Sequence, residues 1–528
     1  MKKLKELFED KDKFLIGAEL VTTRGILQEE GGKKIVKYTE DLIADERIDW
    51  ISVTENAGGN IMSAPDGLGK LIQEKKKNTI IHITCKDMNR NALESIAWKY
   101  ANDGFDNLLA LSGDYPIDGY QGVAQPVFDI DSVGLIKMLS DMNKGLQVNG
   151  RKPNSKIDLD KTNFFLGCAV SPFKTSEAEQ MMQYAKLKMK IEAGANYIIP
   201  QLGYDIRKSH ELITWLRENN LSIPVIGNIY KLTGGVANLF NKGFIPGCKV
   251  SDELLARINK EKKSEDKGRK YFIDLAAKQY VSFKQMGYKG VYIGGTEKFE
   301  DFAAILEKVE ELKDANWLDF VPELTNPAPN EFYLYNVDSK TKLSDPKSLN
   351  PKITTYKKRN YRKHVNLNYR FNRLVHTVLF KQKSLGFKLS VFKYKVLEKK
   401  SFKVLKRFTY FNERMIKAAL FNCRECGDCS LPDITYLCPQ SQCAKNQRNG
   451  PCGGSSNDCC ELSERKKDCI WVRAYSRNKY FNGENVELLS AKPVIKNSKL
   501  KDTSGWANYY LGRDHNAYKI KNKKSAHN

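Results

Sequence analysis

The sequence predicts an α/β fold, a (β/α)8 TIM barrel, and three observations carry that expectation. Eight short apolar runs recur through the first three hundred residues: "FLIGAEL" (14–20), "WISVT" (50–54), "TIIHITC" (79–85), "NLLALSG" (107–113), "FFLGCAV" (164–170), "YIIPQL" (197–202), "PVIGNI" (224–229) and "GVYIGG" (290–295). Each is β-branched or aromatic-rich and continuously apolar, as strands buried on both faces of a parallel sheet must be. Between them lie stretches with helical spacing, such as 88–103, 176–193 and 268–286. Eight strands alternating with helices in about 300 residues fit a barrel, with a doubly wound sheet as the second choice. Several runs also end in polar groups, at Glu19, Thr54, Thr84, Asp114 and Gln201. In such barrels the C-terminal strand ends form the functional mouth, so these side chains would converge there.

The barrel is expected over 1–315. Residues 316–350, with "PELTNPAPNEF" and "SDPKSLNPK", read as a linker. A basic, partly helical segment follows over 351–420, with "LVHTVLF" and "FNERMIKAALF" as its better helical pieces, and 421–528 is cysteine-rich with a polar tail. The net charge of +24 is uneven: residues 340–420 hold 23 Lys/Arg against 3 Asp/Glu, a net +20. The remainder is nearly neutral, which excludes nucleic-acid binding as a property of the whole molecule. Only the basic segment, with Tyr356, Tyr361, Tyr369 and Phe371 among its lysines, has the composition of a nucleic-acid face. No apolar run approaches the ~20 residues of a membrane span. The charged start, "MKKLKELFEDKDKF", has no secretory core. A cytoplasmic location and no membrane partner are expected.

Nine of the 12 cysteines lie between Cys423 and Cys469, spaced C-x2-C-x2-C-x8-C-x4-C-x8-C-x6-CC-x8-C. In a reducing compartment such a cluster points to metal rather than disulfides. Cys423, Cys426 and Cys429 can wrap one face of a [4Fe–4S] cube, and Cys438, followed by proline, can close it. Cys423 and Cys426 with Cys438 and Cys443 can equally make a tetrahedral zinc site. Cys452, Cys459, Cys460 and Cys469 remain for a second centre. The tight triple spacing inclines the choice to iron.

"GAEL" (17–20), "SVT" (52–54), "HITC" (82–85), "ALSGDYP" (110–116) and "LKMKIEAGANYIIPQLGYD" (187–205) together resemble the methylenetetrahydrofolate reductases. The stretches "CPQSQCAKNQRNGPCGGS" and "CIWVRAYSR" look like the C-terminal domain fused to or partnered with such reductases. The resemblance covers about 12–310 and 370–515. It implies a TIM barrel holding FAD, which takes hydride from NADH or NADPH and passes it to 5,10-methylenetetrahydrofolate. By this resemblance Glu19 matches the general acid that opens the methylene bridge, a task suited to a carboxyl with a raised pKa. Asp114 matches the aspartate beside flavin and folate, where a negative charge would tune the ring and stabilise cationic folate. Gln201 matches a folate-contacting amide. Thr54, His82, Ser112, Gly113, Asp114, Tyr115 and Lys190 fall on flavin-binding positions.

The sequence also departs from the family pattern. "PPR" after the acid is here Thr22, Thr23 and Arg24; Leu202 and Gly203 replace two expected rings; Lys186 and Met189 replace polar flavin contacts. Three readings therefore stand side by side. The first is a flavin-dependent reductase with a structural cysteine domain. The second is the same barrel reloaded through an iron–sulfur centre by an electron-transfer partner, or run oxidatively. The third is a non-catalytic, zinc-bearing nucleic-acid-binding protein. Glu19, Asp114 and Gln201 together argue against the third, and acidic polyglutamylated folate would account for the basic charge. A homo-oligomer is also expected.

Overall fold

The computed structural model describes residues 2–152, 154–463, 466–483, 489 and 492–517. Eight parallel strands form the central sheet: β1 (Leu15–Leu20), β2 (Trp50–Val53), β3 (Asn78–Thr84), β4 (Asn107–Leu111), β5 (Phe165–Val170), β6 (Tyr197–Pro200), β7 (Ile226–Tyr230) and β8 (Gly290–Gly294). They are hydrogen-bonded in the order β6-β5-β4-β3-β2-β1-β8-β7. A single parallel bridge, Ile198↔Val225, brings β6 back to β7 and closes the ring. The eight expected strands are thus present, and helices surround them as a (β/α)8 barrel requires.

The short helix α1 (Leu4–Glu9) stoppers the N-terminal end of the barrel. Its Leu4, Leu7 and Phe8 join an interior cluster with Trp50, Ile80, Phe165, Tyr197 and Ile226. Phe8 meets the rings of Phe165 and Tyr197 at 5.1 Å each. This leaves only the opposite end, where the strands terminate in polar residues, open to a ligand. Helix α2 (Glu177–Ala193) borders that end; Ser176 caps it, accepting from Glu179 N–H at 3.2 Å.

The stretch 316–350, expected as a linker, packs onto the barrel. Its Phe332, Leu334 and Tyr335 are buried, and Tyr335–Val337 pairs with Ser344–Leu349 as a hairpin. The buried Lys208 donates to the Phe332 carbonyl at 2.9 Å, and Glu211 accepts from Leu334 N–H at 2.6 Å. Prolines and asparagines make this stretch read as a loop, while its few aromatic residues decide where it lies.

The remainder wraps back over the barrel. Helices α3 (Leu367–Val375), α4 (Leu385–Leu397) and α5 (Lys403–Phe421) form the basic segment. Helix α6 (Ile470–Asn482) lies on α2, with Trp471 and Tyr475 packed against Ala178 and Met182. Helix α7 (Gly505–Tyr510) packs Tyr509 and Tyr510 on Phe387 and Tyr394 of α4. Between the cysteines, the loop 445–454 descends into the open end of the barrel.

Candidate active site

At the C-terminal strand ends lies a cavity of about 300 Å3. Glu19, Thr54, His82, Ser112, Gly113, Asp114 and Gln201 line it, drawn from the strands β1 to β6 and the turns that follow, together with Lys190 of α2. Tyr115 sits beside it, stacked on Phe128 with ring centroids 6.4 Å apart. Thr84, the remaining polar strand end, lines it too.

Glu19 is half-buried at the end of β1, and desolvation raises its carboxyl pKa; the hydroxyl of Tyr292, which donates to Oε1 at 3.3 Å, opposes this only in part. Tyr292 also bonds Ser52, whose Oγ is 2.8 Å from His82 Nε2. Burial lowers the His82 pKa to about 4, so this histidine is neutral and serves the network as a hydrogen-bonding group. Gly294 on β8 makes room for the acid: a Cβ there would lie 2.1 Å from Glu19 Oε2.

Asp114 accepts from Gly58 N–H at 2.9 Å through Oδ2. Gln201 accepts from Leu202 N–H at 3.1 Å, leaving its amide nitrogen toward Gly247. Lys190 donates to the Ala169 carbonyl at 2.6 Å; burial, followed by the nearby Lys186 charge, lowers its pKa to about 8. Gly203 leaves space that Phe173 fills, since a Cβ there would be 2.1 Å from the Phe173 ring. A ring from the β5 loop thus occupies the place beside one missing aromatic.

Several lining residues were not singled out from sequence. Glu55 follows Thr54 directly, accepts from Thr84 N–H at 2.6 Å, and is raised to about 7 by burial. It carries the same strand-end signal that marked Glu19. Ser171, Gln183, Asn228 and Tyr292 line the cavity as well. The larger omission is the far end of the chain: Lys445, Pro451, Cys452, Gly453, Gly454 and Glu461 complete the wall. Lys445 donates to the Gly113 carbonyl at 3.0 Å and pairs with Glu461 at 2.6 Å. Lys186 is spent on the same loop, donating to Gln447 Oε1 at 2.7 Å and the Pro451 carbonyl at 3.0 Å. No spacing rule brings residues so distant in sequence to one cavity.

None of the 12 cysteines is joined in a disulfide. Cys423, Cys426, Cys429 and Cys438 line one small cavity. In the second group Cys443 neighbours Cys452 and Cys460, and Cys469 neighbours Cys452 and Cys443. Cys459 sits beside Asp458 and Asp468. Among the described residues only Asp428, Asp514 and His515 place three ligand atoms within 4.8 Å of one another. His515 uses Nδ1 on Asp428 and Nε2 on Asp433, and these bonds raise its pKa to about 9 despite burial. His515 is therefore an imidazolium paired with Asp428 and Asp433.

The family model described as methylenetetrahydrofolate reductase matches residues 3–310, and that described as methylene-tetrahydrofolate reductase C terminal matches 402–496. The chain is 28% identical over 169 residues to the 5,10-methylenetetrahydrofolate reductase of Salmonella typhimurium, covering 31% of this chain and 48% of that one. It is 23% identical over 274 residues to methylenetetrahydrofolate reductase (NADH) 1 of Zea mays, covering 50% and 43%. The chain thus spans less than half the length of these relatives. A solved structure of an uncharacterized Clostridium thermocellum protein binding 5-methyl-5,6,7,8-tetrahydrofolic acid covers 59% of this chain and 99% of its own, at 12% identity and a TM-score of 0.42. With a family model matching more than half its length, and a second matching its cysteine-rich end, the chain belongs to the methylenetetrahydrofolate reductase family.

Proposed function

We propose that the barrel reduces 5,10-methylenetetrahydrofolate to 5-methyltetrahydrofolate at a flavin reloaded by NAD(P)H. The observation that carries this is Glu19: a carboxyl whose pKa desolvation raises, in one cavity with Asp114 and Gln201. Glu19 holds the proton that opening of the methylene bridge requires. The Asp114 carboxylate faces the cationic carbon that results, and Gln201 offers a donor and an acceptor to a pterin edge.

The cavity suits a flavin. Thr54 Oγ1, Ser171 Oγ and Gln183 Nε2 are buried without partners around it, a set of polar atoms awaiting a heterocycle. When bound, the flavin supplies the hydride. About 300 Å3 is at the small end for ligand sites. The side toward Lys186 is already filled by the loop 445–454. This supports a flavin of mononucleotide length in place of the FAD that the family resemblance implies. The flavin released on denaturation tests it: FMN is expected, and bound FAD would refute the length argument alone.

The cysteines support iron–sulfur clusters over zinc. Glu425 N–H and Arg448 Nη2 reach Cys423 and Cys426 sulfurs at 3.4 and 3.7 Å, donors of the kind that stabilise a cluster. Cys452 lines the barrel cavity itself, which favours a second reading in which electrons enter through the cysteine domain. An anaerobic titration separates the two. Bleaching of the flavin by NADH, with recovery on methylenetetrahydrofolate, supports the first. A flavin that NADH leaves oxidised refutes direct reloading.

A further inference from the structure

One of the basic helices shows an inversion that the reductase reading leaves unused. On α5, Glu413 and Lys417 are buried as an ion pair at 2.8 Å, and Glu413 also accepts from Trp506 N–H at 3.0 Å. The opposite side of the same helix carries Val404, Phe408, Phe411 and Met415, spaced as one stripe and all exposed. Helix α4 buries an apolar face, Phe387, Tyr394 and Leu397, and still leaves Leu385, Leu389 and Phe392 facing solvent. Helix α3 and the turn after it likewise leave Leu367, Phe371, Leu374 and Val378 exposed. Three exposed apolar stripes on successive helices are expected to be covered.

We propose that this face lies on an anionic membrane surface, with the apolar stripes in the headgroup layer and the surrounding lysines and arginines on lipid phosphates. Charge selects the occupant. With a net +20 over 340–420, a second copy of the chain would meet like charge. An acidic protein would answer the charge, but not its distribution. Exposed cations such as Lys388, Lys393, Lys403, Arg407 and Arg414 run along the helices beside their stripes, the pattern of amphipathic helices lying in a membrane interface. No described helix is long and apolar enough to cross a membrane. A surface-lying helix needs only one apolar face, so the expectation of no membrane partner gives way here.

The test is co-flotation of the full-length protein with phosphatidylcholine vesicles, with and without phosphatidylglycerol. Binding is expected only with the anionic lipid, weakened by salt, and reduced at least ~10-fold in a Phe408→Ser/Phe411→Ser variant. A Leu389→Ser/Phe392→Ser variant reads the same stripe pattern on α4, should the first fold poorly by circular dichroism. Absence of binding at low salt would overturn the proposal. So would binding unchanged in both variants, which would mark plain charge attraction. Displacement of the parent from vesicles by a folded acidic protein, but not by polyglutamate of equal charge, would assign the face to a protein instead. A dimer in solution that the substitutions dissociate would assign it to a second copy.

Discussion

Glu19 shows how one position sets a reaction's pH dependence. Its folded-state pKa lies above the 4.5 of a free glutamate because the barrel interior disfavours the charged form. The proton it holds is present at low pH and is lost as pH rises through that raised value, so folate turnover should fall on the alkaline side. The linked stability has the same sign, being complete below the free value and lost as pH rises through the folded one. Glu19→Gln should abolish this limb and lower folate turnover ~10²–10⁴-fold while leaving reduction of the flavin by its donor intact; equal loss in both half-reactions would undo the assignment. Gly294→Ala tests the acid's placement without removing it. The added methyl would press on Glu19 Oε2 from 2.1 Å, and a shift near 1 Å should cost ~10²-fold in turnover. Parent-like kinetics would show that Glu19 has slack. The sequence made Glu19 legible because the residue ends a run of apolar neighbours. Glu55 was equally legible by that criterion, yet lay one residue beyond the family motif that drew the eye to Thr54.

At the level of elements, the strands were readable because each must be apolar on both faces, a constraint that survives in any order of neighbours. The segment 316–350 was not, because the interactions that place it are made by a few residues against a distant helix. Lys208 and Glu211 form an ion pair with no exposed side-chain surface, and between them hold Phe332 O and Leu334 N–H. Lys208→Met should destabilise the protein by ~3–5 kcal/mol, because Glu211 would remain buried without its cation. Chemical denaturation measures this, and a loss under ~1 kcal/mol would mean that the pair is dispensable. Helix α5 misleads a sequence reader in the opposite way. Its apolar period is correct for a helix, but the period alone does not tell which side faces the protein.

Across the whole molecule, the loop 445–454 follows Cys443, carries Cys452 and forms part of the barrel's cavity wall. Stripping metal anaerobically with a chelator should therefore release flavin as well, read as fluorescence in the filtrate. Retention of flavin at parent affinity would show that the loop is held without the cysteine centre. That dependence was invisible in the sequence, where cysteine spacing speaks of metal and nothing speaks of Gly113, the partner of Lys445. It also places a condition on biosynthesis. When the ribosome has completed the barrel, the pocket still lacks the wall that Lys445, Cys452 and Glu461 will supply. A nascent barrel can fold early, but it can close around a ligand only once the cysteine-rich end has emerged and docked. Premature termination would then yield a folded barrel with an open mouth, and cofactor capture would mark a chain synthesised past its cysteines.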